Sequence, residues 1–297
     1  MRYRCRHTTR YDYGEAVPVS HHLVHLAPRP RPPGQTVHWH RLTVNPGAAV
    51  MVEETDYFGN PVSYLAVQEP HRSLDITAEM EVTVDAPPPF APAATPAWET
   101  VRDAAVAVPG ERAAEITQFV FDSVLVRPLP EVTAYAAPSF SPGRPVGEAM
   151  VELMRRIHTD FAFDPMATTV ATPLAEVMAK RRGVCQDFAH ILCGMLRGFG
   201  IPARYVSGYL RTLPPPGQPR LVGADMSHAW VSAWWGDGWL DLCPTNNRLA
   251  DADYITLAWG RDYDDVSPVR GVIVGGFGHR LTVEVDVEPL GEDGYPL

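Results

Sequence analysis

Residues 183–192 read Gly-Val-Cys-Gln-Asp-Phe-Ala-His-Ile-Leu, and this stretch decides the fold of the chain. Its apolar residues recur at helical spacing as far as Phe199, after which Gly200 and Pro202 end the pattern. The spacing predicts a helix with Cys185 in its first turn. At that position the helix dipole and the unpaired backbone N–H groups favour a thiolate, and the same N–H groups can hold an oxyanion. Cys185 is therefore the candidate nucleophile.

A second segment, prone to form strands, supplies a candidate base. Residues 227–235 read Ser-His-Ala-Trp-Val-Ser-Ala-Trp-Trp and, after a Gly-Asp-Gly turn, return as Trp-Leu-Asp-Leu-Cys at 239–243. An imidazole on a strand can reach a thiol at a neighbouring helix N-terminus and take its proton, which makes His228 the candidate. His190 lies about 140° around the helix from Cys185, so we expect no direct pairing between those two side chains.

The rest of the chain divides into an N-terminal β region and a helical region. The β-prone run at 37–44 and the alternating segment at 76–84 predict a small antiparallel sandwich. Further along, apolar residues recur at three- and four-residue steps between Val146 and Ile157, which is typical of an amphipathic helix. The prediction is an α+β chain with an N-terminal β domain at 1–86, a proline-rich linker at 87–110 and a second domain at 111–297.

Composition argues against several classes of partner. The 297 residues carry a formal net charge of -10, which disfavours nucleic acid and anionic membrane surfaces. No apolar run approaches the ~20 residues needed to cross a bilayer, and the polar N-terminus has no signal-peptide pattern. The four cysteines lack the short paired spacing of a zinc knuckle or a disulfide framework. We therefore expect separate thiols in a reducing compartment, and hence a cytoplasmic protein.

Three motifs together resemble one known family. They are residues 183–189, residues 227–231, and Gly238-Trp239 followed by Pro-Thr-Asn-Asn at 244–247. They are similar to the transglutaminase-like superfamily, in particular its bacterial branch with an extra N-terminal β domain, which residues 56–60 and 260–266 also fit. The resemblance implies a papain-like α+β fold, in which a helix carrying the cysteine packs on an antiparallel sheet carrying the histidine and an acid. It also implies thiol chemistry on amides, as in cross-linkers, deamidases and peptidases.

The acid is where this chain departs from the resemblance. The family places it four residues after the tryptophan of the return strand, and here that position is Cys243. Three alternatives stay open. Asp241, the preferred candidate, shares a strand face with His228 but reaches it only if a bulge or a longer loop shifts the register. Alternatively Asn246 or Asn247 holds the imidazole, or the site works as a Cys–His dyad.

The expected activity is attack by the thiolate of Cys185 on a carboxamide or peptide carbonyl, with His228 returning the proton as a thioester forms. Hydrolysis of a peptide or protein is preferred, since proteins of this bacterial branch are commonly labelled cysteine proteases. Acyl transfer to an amine is the alternative, and a catalytically silent, peptide-binding scaffold is the rival from another class. No cofactor or metal is implied, although His38 and His40 share a strand face. Residues 213–217 are expected to border the substrate groove.

Overall fold

The computed structural model describes residues 1–31, 34–127, 129–212, 225–291 and 293–295. Residues 213–217, for which the sequence predicts a place beside the substrate groove, lie outside these ranges. Within them, no helix is both long enough and apolar enough to cross a membrane.

Strands occupy both ends of the chain, and most of the helices lie between them. The strands are β1 (Arg2–Val17), β2 (Val19–Val24), β3 (Gln35–Asn45), β4 (Val50–Thr55), β5 (Pro61–Val67), β6 (His71–Val84), β7 (Ala162–Phe163), β8 (Arg182–Gly183), β9 (Ala203–Leu210), β10 (Met226–Trp234), β11 (Trp239–Cys243), β12 (Arg248–Leu249), β13 (Tyr254–Gly260), β14 (Val269–Val274) and β15 (His279–Leu290). The helices are α1 (Trp98–Ala107), α2 (Glu111–Ile116), α3 (Pro130–Ala136), α4 (Val146–Asp160), α5 (Leu174–Lys180), α6 (Cys185–Gly198) and α7 (Tyr263–Val266).

The N-terminal strands form two antiparallel sheets that pack face to face. One sheet has the order β15-β1-β6-β3 and the other the order β14-β2-β5-β4. Val24 and Leu65 of the second sheet share a core with Tyr3 and Met80 of the first. The predicted sandwich is therefore present, because side chains that alternate along each strand place one face of each sheet inside.

The two C-terminal strands belong to this sandwich rather than to the second domain. β15 runs antiparallel along β1, and β14 runs antiparallel along β2. The predicted domain at 111–297 is therefore corrected at its C-terminal end, because the partners of these strands lie far away in sequence. The predicted linker at 87–110 is corrected as well, since it contains α1, whose Val101 and Ala105 are buried in the core of the second domain.

The second domain packs α6 against a sheet with the order β12-β11-β10-β9-β13. Phe188, Ile191 and Leu192 of the helix share a core with Ala229 and Val231 of β10. Burial of such an apolar stripe contributes about 25 cal/mol for each Å² removed from water and holds the helix on the sheet. The prediction of an α+β fold, with the cysteine helix on the sheet that carries the histidine, is confirmed.

The outer edge of β13 is covered by two amide side chains of the N-terminal domain. Gln35 donates from Nε2 to the Thr256 carbonyl and accepts from the Thr256 N–H, both at 2.8 Å. Asn60 forms the same pair of hydrogen bonds with Trp259. Its Nδ2 donates to the Trp259 carbonyl and its Oδ1 accepts the Trp259 N–H, both at 2.9 Å. These contacts take the place of a neighbouring strand and fix the sandwich against the sheet that carries His228.

Candidate active site

Cys185 is the first residue of α6, as the helical spacing predicts. The turn before it is held by Asp187, whose Oδ2 accepts the Val184 N–H at 2.8 Å and the Thr168 hydroxyl at 2.7 Å. Gly183 permits this arrangement, because a Cβ there would lie 2.5 Å from the same carboxylate oxygen. Asp187 therefore has a structural role, and it fixes the direction in which the helix starts.

The thiol of Cys185 does not have the ionisation that its helix position predicts. Burial raises the pKa of Cys185 to about 11, although the backbone N–H groups of Ala229 and Gln186 hydrogen-bond to the sulfur and lower the pKa in part. The direction of this pKa shift is opposite to the one expected from the position of Cys185 at the helix start. The helix dipole acts in the first turn, but desolvation by the packed surroundings is the larger effect.

His228 lies on β10, directly before the residue whose N–H reaches the thiol. Its partner across the sheet is Gly208 of β9. The absence of a side chain at Gly208 leaves room for the Trp230 ring, because a Cβ there would lie 2.7 Å from an atom of that ring. Burial, followed by the positive charge of Arg248, lowers the pKa of His228 to about 4. Near neutral pH the imidazole is therefore uncharged and able to accept a proton.

One ring nitrogen of His228 is already engaged. Its Nε2 lies 3.1 Å from the Cys243 sulfur and 3.3 Å from Nδ2 of Asn246. Nδ2 of Asn246 also donates to the Cys243 sulfur, at 3.3 Å. Of the two asparagines considered from the sequence, Asn246 is thus brought to the imidazole, while Asn247 adopts a positive φ of 51° in the turn after β11. The contact follows from the hairpin register, because Val231 pairs with Leu242 and position 243 is therefore a diagonal neighbour of His228 on the same face.

Asp241 does not reach the imidazole, which corrects the preferred choice of acid. The β10–β11 register runs unshifted from Trp234↔Trp239 to Val231↔Leu242, so Asp241 lies opposite Ser232. Its Oδ2 instead lies 2.7 Å from a guanidinium nitrogen of Arg31, which belongs to the N-terminal domain. Asp241 is therefore part of the domain interface, because the bulge needed to move it towards His228 is not present in this stretch of the hairpin.

The other candidate residues have structural surroundings. Nε2 of His190 accepts the Tyr263 N–H at 3.1 Å, and Cys193 is fully buried in the helix core. His38 contacts the Thr83 hydroxyl at 2.8 Å. Among the described residues, no group of three or more His, Cys, Asp or Glu is arranged to hold a metal ion.

Two regions of the chain match known protein families. The model for the bacterial transglutaminase-like N-terminal region matches residues 3–83, and the model for the transglutaminase-like superfamily matches residues 133–244. An uncharacterized protein of Mycobacterium tuberculosis strain H37Rv is 43% identical over 305 residues, which cover 98% of this chain and 94% of the relative. The chain belongs to the transglutaminase-like superfamily.

Two further comparisons concern this superfamily. A protein-glutamine gamma-glutamyltransferase of Pseudomonas aeruginosa is 32% identical over 123 residues, which cover 35% of this chain and 18% of that protein. A solved structure from Cytophaga hutchinsonii, a candidate cysteine protease, has a TM-score of 0.76 and covers 100% of this chain and 93% of its own. At 20% identity it supports the transglutaminase-like fold.

Proposed function

We propose that this transglutaminase-like protein cleaves amide bonds through a thioester on Cys185, with His228 as the base. The observation that carries the proposal is the meeting of α6 and β10. The sulfur of Cys185 receives the backbone N–H of Ala229, the residue next to an uncharged His228. A thiol at a helix start and a neutral imidazole on the strand that contacts it are the two groups that acyl transfer requires.

The proposed reaction starts from an uncharged pair. As the sulfur attacks the carbonyl carbon, a C–S bond forms and the thiol proton passes to the imidazole of His228. The imidazolium then gives that proton to the leaving amine or ammonia, and the thioester remains. N–H groups in the first turn of α6 stabilise the oxyanion. Water attacks the thioester, His228 takes one of its protons, and the proton returns to the departing sulfur.

Acyl transfer to an amine is the second candidate, and it is favoured by the partial match to a gamma-glutamyltransferase. In that case an amine replaces water in the last step. The chain itself has a single lysine, Lys180, so it offers few acceptors for its own acyl group. A peptide or protein as the substrate, and a cytoplasmic location, stay predictions.

An activated ester tests the nucleophile and base without knowledge of the natural substrate. The protein is incubated with p-nitrophenyl acetate, and the acetylated residue is located by peptide mass spectrometry. We expect acetylation of Cys185 that slows by about 100-fold or more in His228→Ala, because general-base catalysis contributes roughly that much. Cys193→Ala is the matched control and should leave the rate unchanged. Acetylation of Lys180 or the N-terminus as fast as that of Cys185, with no effect of His228→Ala, would favour the silent scaffold and reject the proposal.

The fate of the acetyl-enzyme separates the two candidate reactions. Loss of the acetyl group is followed in buffer alone and with added hydroxylamine or a lysine-like primary amine. Hydrolysis predicts rapid loss in buffer with little acceleration by the amine. Slow loss in buffer, together with fast transfer to the amine, identifies an acyltransferase.

A further inference from the structure

Cys243 is a fully buried cysteine that the proposed mechanism has not used. It is the last residue of β11, one position beyond the Val231↔Leu242 pair. Its sulfur is approached by two nitrogen atoms, Nε2 of His228 at 3.1 Å and Nδ2 of Asn246 at 3.3 Å. Tyr254 is a further neighbour, since Cys243 contributes to raising the pKa of its hydroxyl.

Two arrangements of the hydrogens around this sulfur are compatible with its contacts, and they differ in which group donates. The amide nitrogen of Asn246 carries only donors, so it cannot accept the Nε2–H of His228. The sulfur has lone pairs and can accept from both nitrogens at once. The opposite arrangement, in which Nε2 accepts from the Cys243 S–H or from the Asn246 N–H, would place the ring proton on Nδ1, and that nitrogen could not take the proton of Cys185. The proposed reaction therefore requires the arrangement in which Nε2 is protonated and Cys243 accepts its hydrogen.

We infer that Cys243 is a positioning residue for His228, in which the sulfur takes the part that a carboxylate takes in other triads. By accepting the Nε2–H it holds the ring in one tautomer and leaves Nδ1 unprotonated, free to take the proton of Cys185. The inference deepens the proposed function and rests on it for the identity of the base. It also separates the roles of the two β11 residues, since Cys243 orients the imidazole and Asp241 pairs with Arg31.

Sulfur is a weaker acceptor than a carboxylate, and this difference gives the inference a directional consequence. When the imidazole becomes charged during proton transfer, a neutral sulfur stabilises that charge less than an anion does. We therefore expect Cys243→Asp to raise the rate of Cys185 acetylation by about tenfold, because a carboxylate both orients the ring and stabilises the imidazolium. Cys243→Ala removes the acceptor and should lower the rate by about tenfold or more.

The decisive readout is the tautomer of His228, measured by nitrogen-15 NMR on the full chain near neutral pH. The His228 signals are assigned by their loss in His228→Ala. In the native protein we expect Nε2 to be protonated and Nδ1 to be bare. Cys243→Ala should mix the two tautomers, whereas Cys243→Ser, whose hydroxyl oxygen accepts, should keep the native one. Cys243→Val fills the space without an acceptor and serves as the second variant where Cys243→Ala unfolds. Cys193→Ala is the matched control and should leave the tautomer unchanged.

The outcomes distinguish this inference from the proposed function. If Cys243→Ala and Cys243→Val keep both the native tautomer and the native acetylation rate, Cys243 has no positioning role, while acetylation of Cys185 still supports the function. If Asn246→Ala changes the tautomer and the Cys243 variants do not, the amide oxygen of Asn246 is the acceptor and the inference is wrong. The tautomer can be read even in a protein that fails to acetylate Cys185.

Discussion

At the scale of single residues, the candidate site brings together groups that are uncharged at rest. Burial raises the pKa of Cys185 to about 11 and lowers that of His228 to about 4. Desolvation disfavours the charged form of both groups, so it moves the two pKa values in opposite directions. In the proposed reaction the thiolate is therefore generated by proton transfer during attack rather than stored at rest.

The alkylation of Cys185 should follow this ionisation. Because the pKa lies near 11, the thiolate fraction, and with it the rate of modification by iodoacetamide, should rise about tenfold for each pH unit between about pH 7 and pH 10. The rate is measured by quenching at intervals and quantifying the modified peptide by mass spectrometry. Cys193, which is buried in the helix core, should stay unmodified in the folded protein. A plateau reached below about pH 8 would mean that the helix dipole outweighs burial.

The pair formed by Asp241 and Arg31 predicts a stability effect without a catalytic one. Asp241→Asn removes the charge that faces Arg31, whose side chain is 36% exposed, so the free energy of unfolding should fall by only about 1–2 kcal/mol. The rate of Cys185 acetylation should stay within about twofold of the native rate, a difference of less than about 0.5 kcal/mol. Urea unfolding and the acetylation assay measure the two quantities.

A matched control for this variant is Asp237→Asn, at an exposed turn position, which should change the free energy of unfolding by less than about 0.5 kcal/mol. Loss of acetylation by about 100-fold in a fully stable Asp241→Asn protein would restore Asp241 as the orienting acid.

At the scale of elements, the edge strand β13 explains why the short segments around Gln35 and Asn60 matter to a site that they do not touch. Each side-chain amide forms the two hydrogen bonds that a neighbouring strand would otherwise form. β13 is the direct neighbour of β9, and β9 is the neighbour of the strand that carries His228. The N-terminal sandwich therefore supports the sheet at its β13 edge as well as through the pair of Arg31 and Asp241 on β11.

Removal of one of these amides should destabilise the chain. Gln35→Ala leaves the buried N–H and carbonyl of Thr256 with fewer partners, so the free energy of unfolding should fall by about 2–3 kcal/mol. Gln68→Ala, the same change at an exposed position, should alter it by less than about 0.5 kcal/mol. Urea unfolding curves of both variants supply the comparison. Equal effects would show that the edge contacts contribute no stability of their own.

At the scale of the whole molecule, the last two strands of the chain pair with the first two. β14 and β15 complete the two sheets that the first residues start, so the second domain is inserted between strands of the sandwich. This sandwich buries His7 and His22, and burial lowers the pKa of each to about 4. For His22, the neighbouring His71 and His21 lower it further. Folding thus depends on keeping these rings uncharged.

Acid should destabilise the protein for this reason. Between the unfolded pKa of 6.5 and the folded value of about 4, only the unfolded chain binds a proton at His22, so stability is full above about 6.5 and falls as the pH drops. Each such histidine contributes a slope of up to about 1.4 kcal/mol per pH unit in that window. Urea unfolding at a series of pH values measures the slope, and His22→Phe should make it shallower. Identical slopes in the two proteins would contradict this account.

Several features could be predicted from local sequence. The spacing of Phe188, Ile191 and Leu192 specifies a helix that begins at Cys185, and alternation along residues 76–84 specifies a strand with one buried face. The β10–β11 register also follows from the short turn before Trp239. These predictions hold because helix and strand periodicities depend on residues a few positions apart. The nucleophile and its candidate base could be named for the same reason.

Tertiary structure alone decided the partners and the charges. Asp241 pairs with Arg31 because the sandwich packs on that face of the sheet. The contacts of His228 Nε2 with Cys243 and Asn246 depend on the path of the chain after β11. Burial raises the pKa of Cys185 against the effect of the helix start, and burial depends on every element that surrounds the thiol. Sequence thus determined which residues carry the chemistry, and packing determined what each of them faces.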